Sequence, residues 1–167
     1  MASSASAWSI KMTNDEELSN FISQDDQKKS LNVIFPGTKW CGSGNIATNY
    51  DDLGKSSGTD ACCRAHDLCS DQVEGGGTAH GLKNKAPYTR LNCKCDIEFF
   101  NCLRNEENQE ETAKLVGVIY FDVLQTQCYK YEYPVVKCTQ NVLKRCLEYE
   151  YNTTADKSWQ WFDVPLF

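Results

Sequence analysis

Ten cysteines among 167 residues constrain this chain more than any other feature. An even count at that density reads as a disulfide framework closed in an oxidising compartment, so the expected location is secreted and extracellular. The length allows one domain with a real but modest core, which covalent staples would reinforce. Three of the cysteines crowd into Ala61-Cys62-Cys63-Arg64-Ala65-His66-Asp67-Leu68-Cys69, beside one of only two histidines and a carboxylate. Read as a helix, this stretch puts Cys62, His66 and Cys69 on one face at i, i+4 and i+7, with Cys63 and Asp67 on a face roughly 100° away.

Cys95 and Cys102 repeat the seven-residue spacing of Cys62 and Cys69, so each pair occupies one face of its helix. Two antiparallel helices with those faces opposed would be bridged Cys62 to Cys102 and Cys69 to Cys95, one arrangement among about 945 pairings that ten cysteines permit. Between the staples, His66 would face the second helix near Asp96 or Glu98, and either carboxylate could accept a hydrogen bond from its ring.

Residues 1–32 are polar and free of cysteine and are read as an N-terminal tail, with one short helix around Glu16 to Ile22. The domain is placed at residues 33–167. It opens with Val33-Ile34-Phe35, stopped by the turn pair Pro36-Gly37. In Trp40-Cys41-Gly42-Ser43-Gly44-Asn45, glycine recurs at alternate positions. Such a loop can aim backbone carbonyls or an N–H at one point, and it also reads as a plain turn beside a cysteine. Thr59 or Asp60 is the expected N-cap of a helix from Cys62 to about Gln72. His80-Gly81-Leu82 reads as a surface loop without a catalytic part, because no constellation surrounds His80. A second helix is expected from Cys93 or Cys95 to Arg104. A third is expected over Thr112–Gln127, burying Leu115, Val118, Ile119 and Val123. Tyr129–Val136 and Leu143–Tyr151 read as a hairpin pinned by Cys138 and Cys146. Asn152-Thr153-Thr154 is a glycosylation sequon, meaningful in an exported chain. The aromatic end from Trp159 to Phe167 is expected to pack on the core.

The net charge of −6 weighs against nucleic acid as a partner, because such binding rests on Lys and Arg neutralising phosphates. Residues 1–32 hold three lysines against five acids, which leaves −4 to the remainder. Membrane contact is therefore not expected to rest mainly on attraction to anionic lipids. Met1 to Asn20 shows no basic segment followed by an apolar run, and no stretch reaches the roughly 18 apolar residues of a membrane span.

A histidine beside an aspartate suggests three chemistries. Zinc would need three or four Cys or His ligands, and here the cysteines are better used as disulfides. A Ser or Cys nucleophile activated by His66 is the second option, although no Gly-x-Ser-x-Gly pattern occurs. The third is water as nucleophile beside a hard cation such as calcium, which takes carboxylate and carbonyl oxygens. A bridge from Cys41 to Cys63 would bring the glycine loop onto the helix face that carries Asp67.

Cys-Cys-x-x-His-Asp-x-Cys at residues 62–69, Trp40-Cys41-Gly42-Ser43-Gly44, and Cys93-x-Cys95-Asp96 together resemble a secreted phospholipase A2. Phe35-Pro36-Gly37-Thr38-Lys39-Trp40-Cys41-Gly42, Thr59-Asp60-Ala61-Cys62-Cys63-Arg64, His80-Gly81-Leu82 and Trp159-Gln160-Trp161-Phe162-Asp163 narrow the resemblance to the bee-venom-type, group III branch. It spans about residues 33–167 and includes all ten cysteines.

The resemblance implies a mainly α, small disulfide-rich fold: two antiparallel disulfide-linked helices, a third helix, a calcium loop and a C-terminal β-hairpin. It implies calcium-dependent hydrolysis of the sn-2 ester of glycerophospholipids at a membrane interface, giving free fatty acid and lysophospholipid. Carried over, His66 is the general base, Asp96 orients its imidazole and Tyr120 supports Asp96. Calcium is held by Asp67 and the carbonyls of Trp40, Gly42 and Gly44, and the Gly42 N–H also stabilises the oxyanion. The implied disulfides are Cys41–Cys63, Cys62–Cys102, Cys69–Cys95, Cys93–Cys128 and Cys138–Cys146. Two departures stand out. Asn45 is followed by Ile46-Ala47, so the sequon that family members can carry after the calcium loop is absent. The acidic balance differs from basic venom enzymes and shifts membrane contact toward Ile34, Phe35 and the C-terminal aromatics. A monomer docking peripherally on phospholipid is expected. The alternative is a non-catalytic receptor- or lipid-binding protein on the same scaffold.

Overall fold

A computed structural model describes residues 33–167; the tail at 1–32 and the helix expected near Glu16–Ile22 lie outside the described residues. Helix α1 spans Ser57–Asp67, so it begins before the expected caps and ends five residues short of Gln72. Its first-turn N–H groups are satisfied from far along the chain. The Glu110 carboxylate accepts from Gly58 N at 3.1 Å and from Thr59 N at 2.8 Å, and the Thr59 hydroxyl donates to it at 2.6 Å. A carboxylate at a helix N-terminus also opposes the positive end of the helix dipole, so this distant cap does the work that a local Ser or Asp does elsewhere. Thr59 and Asp60 then sit inside the helix, both fully buried.

Helix α2, Cys93–Glu106, starts at Asn92, whose side chain accepts from Lys94 N. Cys93, Asp96, Phe99 and Leu103 form its buried stripe, at helical spacing. The bridge Cys62–Cys102 joins the early part of α1 to the late part of α2, and Cys69–Cys95 joins the far end of α1 to the start of α2. That pattern needs antiparallel axes. The remaining bridges are Cys41–Cys63, Cys93–Cys128 and Cys138–Cys146, and no cysteine among the described residues is free.

The third helical segment departs from expectation. An α-helix, α3, covers only Glu111–Gly117 and continues as a π-helix over Val118–Val123, where Leu124 N donates to Ile119 O at 2.9 Å. Leu115 and Val123 are exposed, and Ala113, Val116, Tyr120, Phe121 and Leu124 are buried instead. The aromatic rings decide the stripe: Tyr120 and Phe121 bury more area than any aliphatic choice, and both pack edge-on or tilted against Phe99.

The strands form four two-stranded antiparallel pairs: β1 (Gln72–Val73) with β4 (Arg90–Leu91), β2 (Thr78–Ala79) with β3 (Leu82–Lys83), β5 (Gln127–Glu132) with β8 (Ser158–Asp163), and β6 (Val135–Val142) with β7 (Arg145–Tyr151). The hairpin expected between Tyr129–Val136 and Leu143–Tyr151 is therefore corrected. Pro134 interrupts the first run, and β6 and β7 close around Leu143-Lys144, both at positive φ as a two-residue I′-type turn requires. The freed β5 takes the C-terminal strand as partner, with Tyr129 opposite Trp161 and Tyr131 opposite Trp159. Of the aromatic end, Phe162 and Val164 are buried in the core and Phe167 packs against it, while Trp159 and Trp161 are only half-buried. No helix among the described residues is long and apolar enough to cross a membrane.

Candidate active site

The two cross-helix bridges set α1 against α2 so that His66 meets Asp96. His66 Nε2 lies 2.7 Å from Asp96 Oδ1, and the Tyr120 hydroxyl donates to the same oxygen at 2.7 Å. All three residues are buried. Glu98 is excluded as partner: two residues farther along the helix it turns to solvent, where it pairs with Lys94 at 3.8 Å. Phe99 stacks on the imidazole with centroids 4.3 Å apart, and Tyr120 meets it edge-on at 5.0 Å. Because a carboxylate accepts, Nε2 carries the proton and Nδ1 keeps its lone pair. Burial, then the Asp96 charge, pushes the Tyr120 phenol well above its ordinary range, so it stays a donor.

Asp67 follows His66 on the adjoining face. Its Oδ2 is buried and has no hydrogen-bond partner among the described residues, and burial, followed by the charge of Asp60, pushes its carboxyl up to about 8. A shielded, orphaned carboxylate is unfavourable unless it is neutral or meets a cation. The Cys41–Cys63 bridge ties the glycine loop to α1 one turn before Asp67, with Cα atoms 5.0 Å apart. Within the loop, Lys39 and Cys41 give their carbonyls to Ile46 N and Phe35 N, so its own ladder consumes alternate carbonyls. Gly42 bridges Ile34, and a Cβ there would overlap the Val33 carbonyl, which explains the glycine. No three His, Cys, Asp or Glu side chains converge among the described residues, so a cation beside Asp67 would draw its other oxygens from backbone.

Ile34 and Phe35 are half-buried, and Phe35 packs against the core. Ile46, Leu68 and Ile97, each close in sequence to a site residue, are more than half exposed.

Two features escape a reading of the sequence. Asp60, one of two candidate caps by sequence, is fully buried and accepts from Lys39 N at 2.9 Å, Trp40 N at 2.8 Å and Gly54 N at 2.8 Å. Its partners lie up to 21 residues away, and no local pattern announces them. His80, which the sequence places in a surface loop with no constellation around it, lies beside a carboxylate. Asp71 Oδ1 lies 2.9 Å from His80 Nε2 and accepts from the Tyr129 hydroxyl at 2.7 Å, while its Oδ2 accepts from Asn92 Nδ2 at 2.9 Å. Trp159 stacks on the His80 ring at 3.7 Å. Partial burial alone would raise the Asp71 carboxyl, but the hydrogen bonds from Tyr129, Asn92 and His80 outweigh it and hold the group below its ordinary value.

The chain matches the family model described as phospholipase A2 over residues 34–132. It is 52% identical over 134 residues to phospholipase A2 of Bombus pensylvanicus, which covers 79% of this chain and 98% of that one. The phospholipase A2 of Apis dorsata is 45% identical over 135 residues, covering 81% of this chain and 100% of the relative. The acidic phospholipase A2 PA4 of Heloderma suspectum is 42% identical over 117 residues, 70% of this chain and 81% of its own. The chain belongs to the phospholipase A2 family, as an enzyme of the bee-venom, group III type.

Proposed function

We propose that the enzyme hydrolyses the sn-2 ester of glycerophospholipids at a membrane surface, using water activated by His66 and requiring calcium. The observation that carries this reading is the shared oxygen of Asp96, which receives both His66 Nε2 and the Tyr120 hydroxyl in a buried wall. Residues 33–167 form the catalytic domain. The imidazole takes a proton from water at Nδ1, and Asp96 offsets the charge that the ring then carries. The same Nδ1 returns the proton to the departing glycerol oxygen, and because water is the nucleophile no acyl-enzyme forms.

Asp67 fits a hard cation: it is shielded, unpartnered at Oδ2 and tethered to a loop rich in backbone donors and acceptors. The carbonyls of Trp40, Gly42 and Gly44 would complete the calcium shell. When bound, calcium supplies polarisation of the ester carbonyl and compensation of the oxyanion charge. The Gly42 N–H is the second donor toward that oxyanion. The five disulfides point to folding in an oxidising compartment and hence to secretion. The enzyme docks as a peripheral monomer, with Ile34 and Phe35 at the lipid contact.

The test is release of fatty acid from phosphatidylcholine vesicles by pure, fully oxidised protein, with and without chelator. Turnover that needs millimolar-scale calcium is expected. Absence of turnover in that range sinks the proposal, and turnover unaffected by chelator removes the metal from it.

A further inference from the structure

We propose that Asn152 carries an N-linked oligosaccharide whose first sugar rests in the adjoining depression lined by Tyr131, Tyr133, Thr153, Ala155, Asp156 and Lys157. This rests on the reading that the chain is secreted. Asn152 is exposed in the turn between β7 and β8, and threonine, not proline, follows it. Its Oδ1 accepts from Thr154 N at 3.1 Å and from the Thr154 hydroxyl at 2.6 Å, while no described residue takes its Nδ2. The hydroxyl of the sequon thus bonds the amide oxygen, and the amide nitrogen is left for the sugar. Tyr131, 54% exposed, offers a ring to the apolar face of an N-acetylhexosamine, and Asp156 and Lys157 offer partners to its hydroxyls.

The donor class is a lipid-linked oligosaccharide diphosphate. The bond from the anomeric carbon to the phosphate oxygen breaks, a bond from that carbon to Nδ2 forms, and one Nδ2 proton leaves to solvent, with no change of oxidation state. Among the described residues, the hydrogen bonds of Asn152 run to Thr154, Pro134 and Ala155 and none to the His66, Asp96 and Asp67 group, so the glycan leaves hydrolysis intact.

The full chain, expressed behind a signal peptide in insect or mammalian cells, is to be weighed intact before and after peptide N-glycosidase in 18O water. A mass increment that disappears and leaves labelled aspartate at 152 is expected, and both Asn152→Gln and Thr154→Ala should lack it with turnover within about twofold of wild type. Tyr131→Ala should lower the Tm of the glycosylated protein by more than that of Asn152→Gln, in which only the contact with Trp159 is lost; an equal loss in both overturns the sugar seat. A secreted, fully oxidised, active protein with bare Asn152 overturns the proposal while leaving secretion standing. A chain retained in reduced form overturns both.

A separate observation assigns Asp60 a role in the reaction. We infer that it is a positioning residue that holds the loop from Lys39 to Gly44 in its metal-binding shape before calcium arrives; this deepens the calcium reading above. A buried carboxylate accepting three backbone N–H groups from two separate loop segments fixes both segments to α1. Asparagine at 60 would turn an N–H₂ toward at least one of those donors. In Asp60→Asn, calcium affinity measured calorimetrically should fall at least about tenfold, with turnover largely restored at saturating calcium; a merely structural role would lower Tm and leave the calcium dependence where it was. Amide exchange of the wild-type protein gives the second measurement. Lys39, Trp40 and Gly54 amides should be protected equally with chelator and with calcium, and free exchange in chelator overturns the inference.

Discussion

At the scale of single residues, the site geometry lets the roles of His66 and Tyr120 be separated by substitution. Replacing His66 by Gln removes the acceptor at Nδ1 and should cut turnover by at least about 10²-fold. Calcium binding, which rests on other atoms, should persist; a calorimetric titration beside the vesicle assay checks both, and retained activity would remove His66 from the mechanism. Tyr120→Phe takes only one of the two hydrogen bonds that Asp96 Oδ1 accepts. With a charged acceptor such a bond is worth about 1.5 kcal/mol, so a fall of about tenfold in kcat with little change in KM is expected. The identity of the imidazole's partner shows what sequence spacing does and does not decide at this scale. Asp96 and Glu98 both stood within reach of His66 along the chain. Burial separates them, because only one lies on the α2 stripe with Phe99 and Leu103.

At the scale of elements, two devices can be tested without touching the site. Asp71 links the segment after α1 to Asn92 at the head of α2 and to Tyr129 in β5. Its carboxyl is held below the ordinary value in the folded chain, so the sign is that of a stabilising carboxylate. The contribution is present above the unfolded value of about 4 and is lost as pH falls through the lower folded one. Wild-type Tm should therefore drop on acidification below about pH 4 more steeply than that of Asp71→Asn, and parallel curves would argue against the link. The second device is the Cys138–Cys146 bridge, which closes only 8 residues against 40 for Cys62–Cys102. Chain entropy puts the two at about 2.5 and about 4 kcal/mol. Replacing the hairpin pair by serine should lower Tm modestly and leave turnover intact, whereas replacing the cross-helix pair should abolish both assays. Helix α2, where Asn92 supplies a local cap, stands near its expected bounds. Helix α1, the third helical segment and the hairpin partners depart from theirs, since a distant cap, an aromatic stripe and the return of the C-terminal strand each override local pattern.

At the scale of the whole molecule, the C-terminus closes against the π-helix. Phe167 packs beside Phe100 and Phe121 and under Arg104, and a Cβ added at Gly117 would overlap its ring. Gly117 has ordinary helical dihedrals, so alanine would otherwise gain about 1 kcal/mol of helix propensity. Gly117→Ala alone should lower Tm, and in a Phe167→Ala background the same change should raise it. Additive effects would mean that the ring does not sit on the glycine. The sequence by itself determined which cysteines share a helix face and the chemistry that could be housed beside them. Cysteine spacing on helices is a matter of local geometry, and the run of His66 and Asp67 between stapled cysteines places two functional groups on adjoining faces whatever surrounds them. Only the tertiary structure decided which carboxylate meets the imidazole, that Asp60 turns inward to loop amides, that Glu110 caps α1, and that His80 faces Asp71. These contacts join residues six to fifty-two positions apart. Such partners are chosen by burial, because a polar group taken from water must find whatever donor or acceptor the packed chain brings to it.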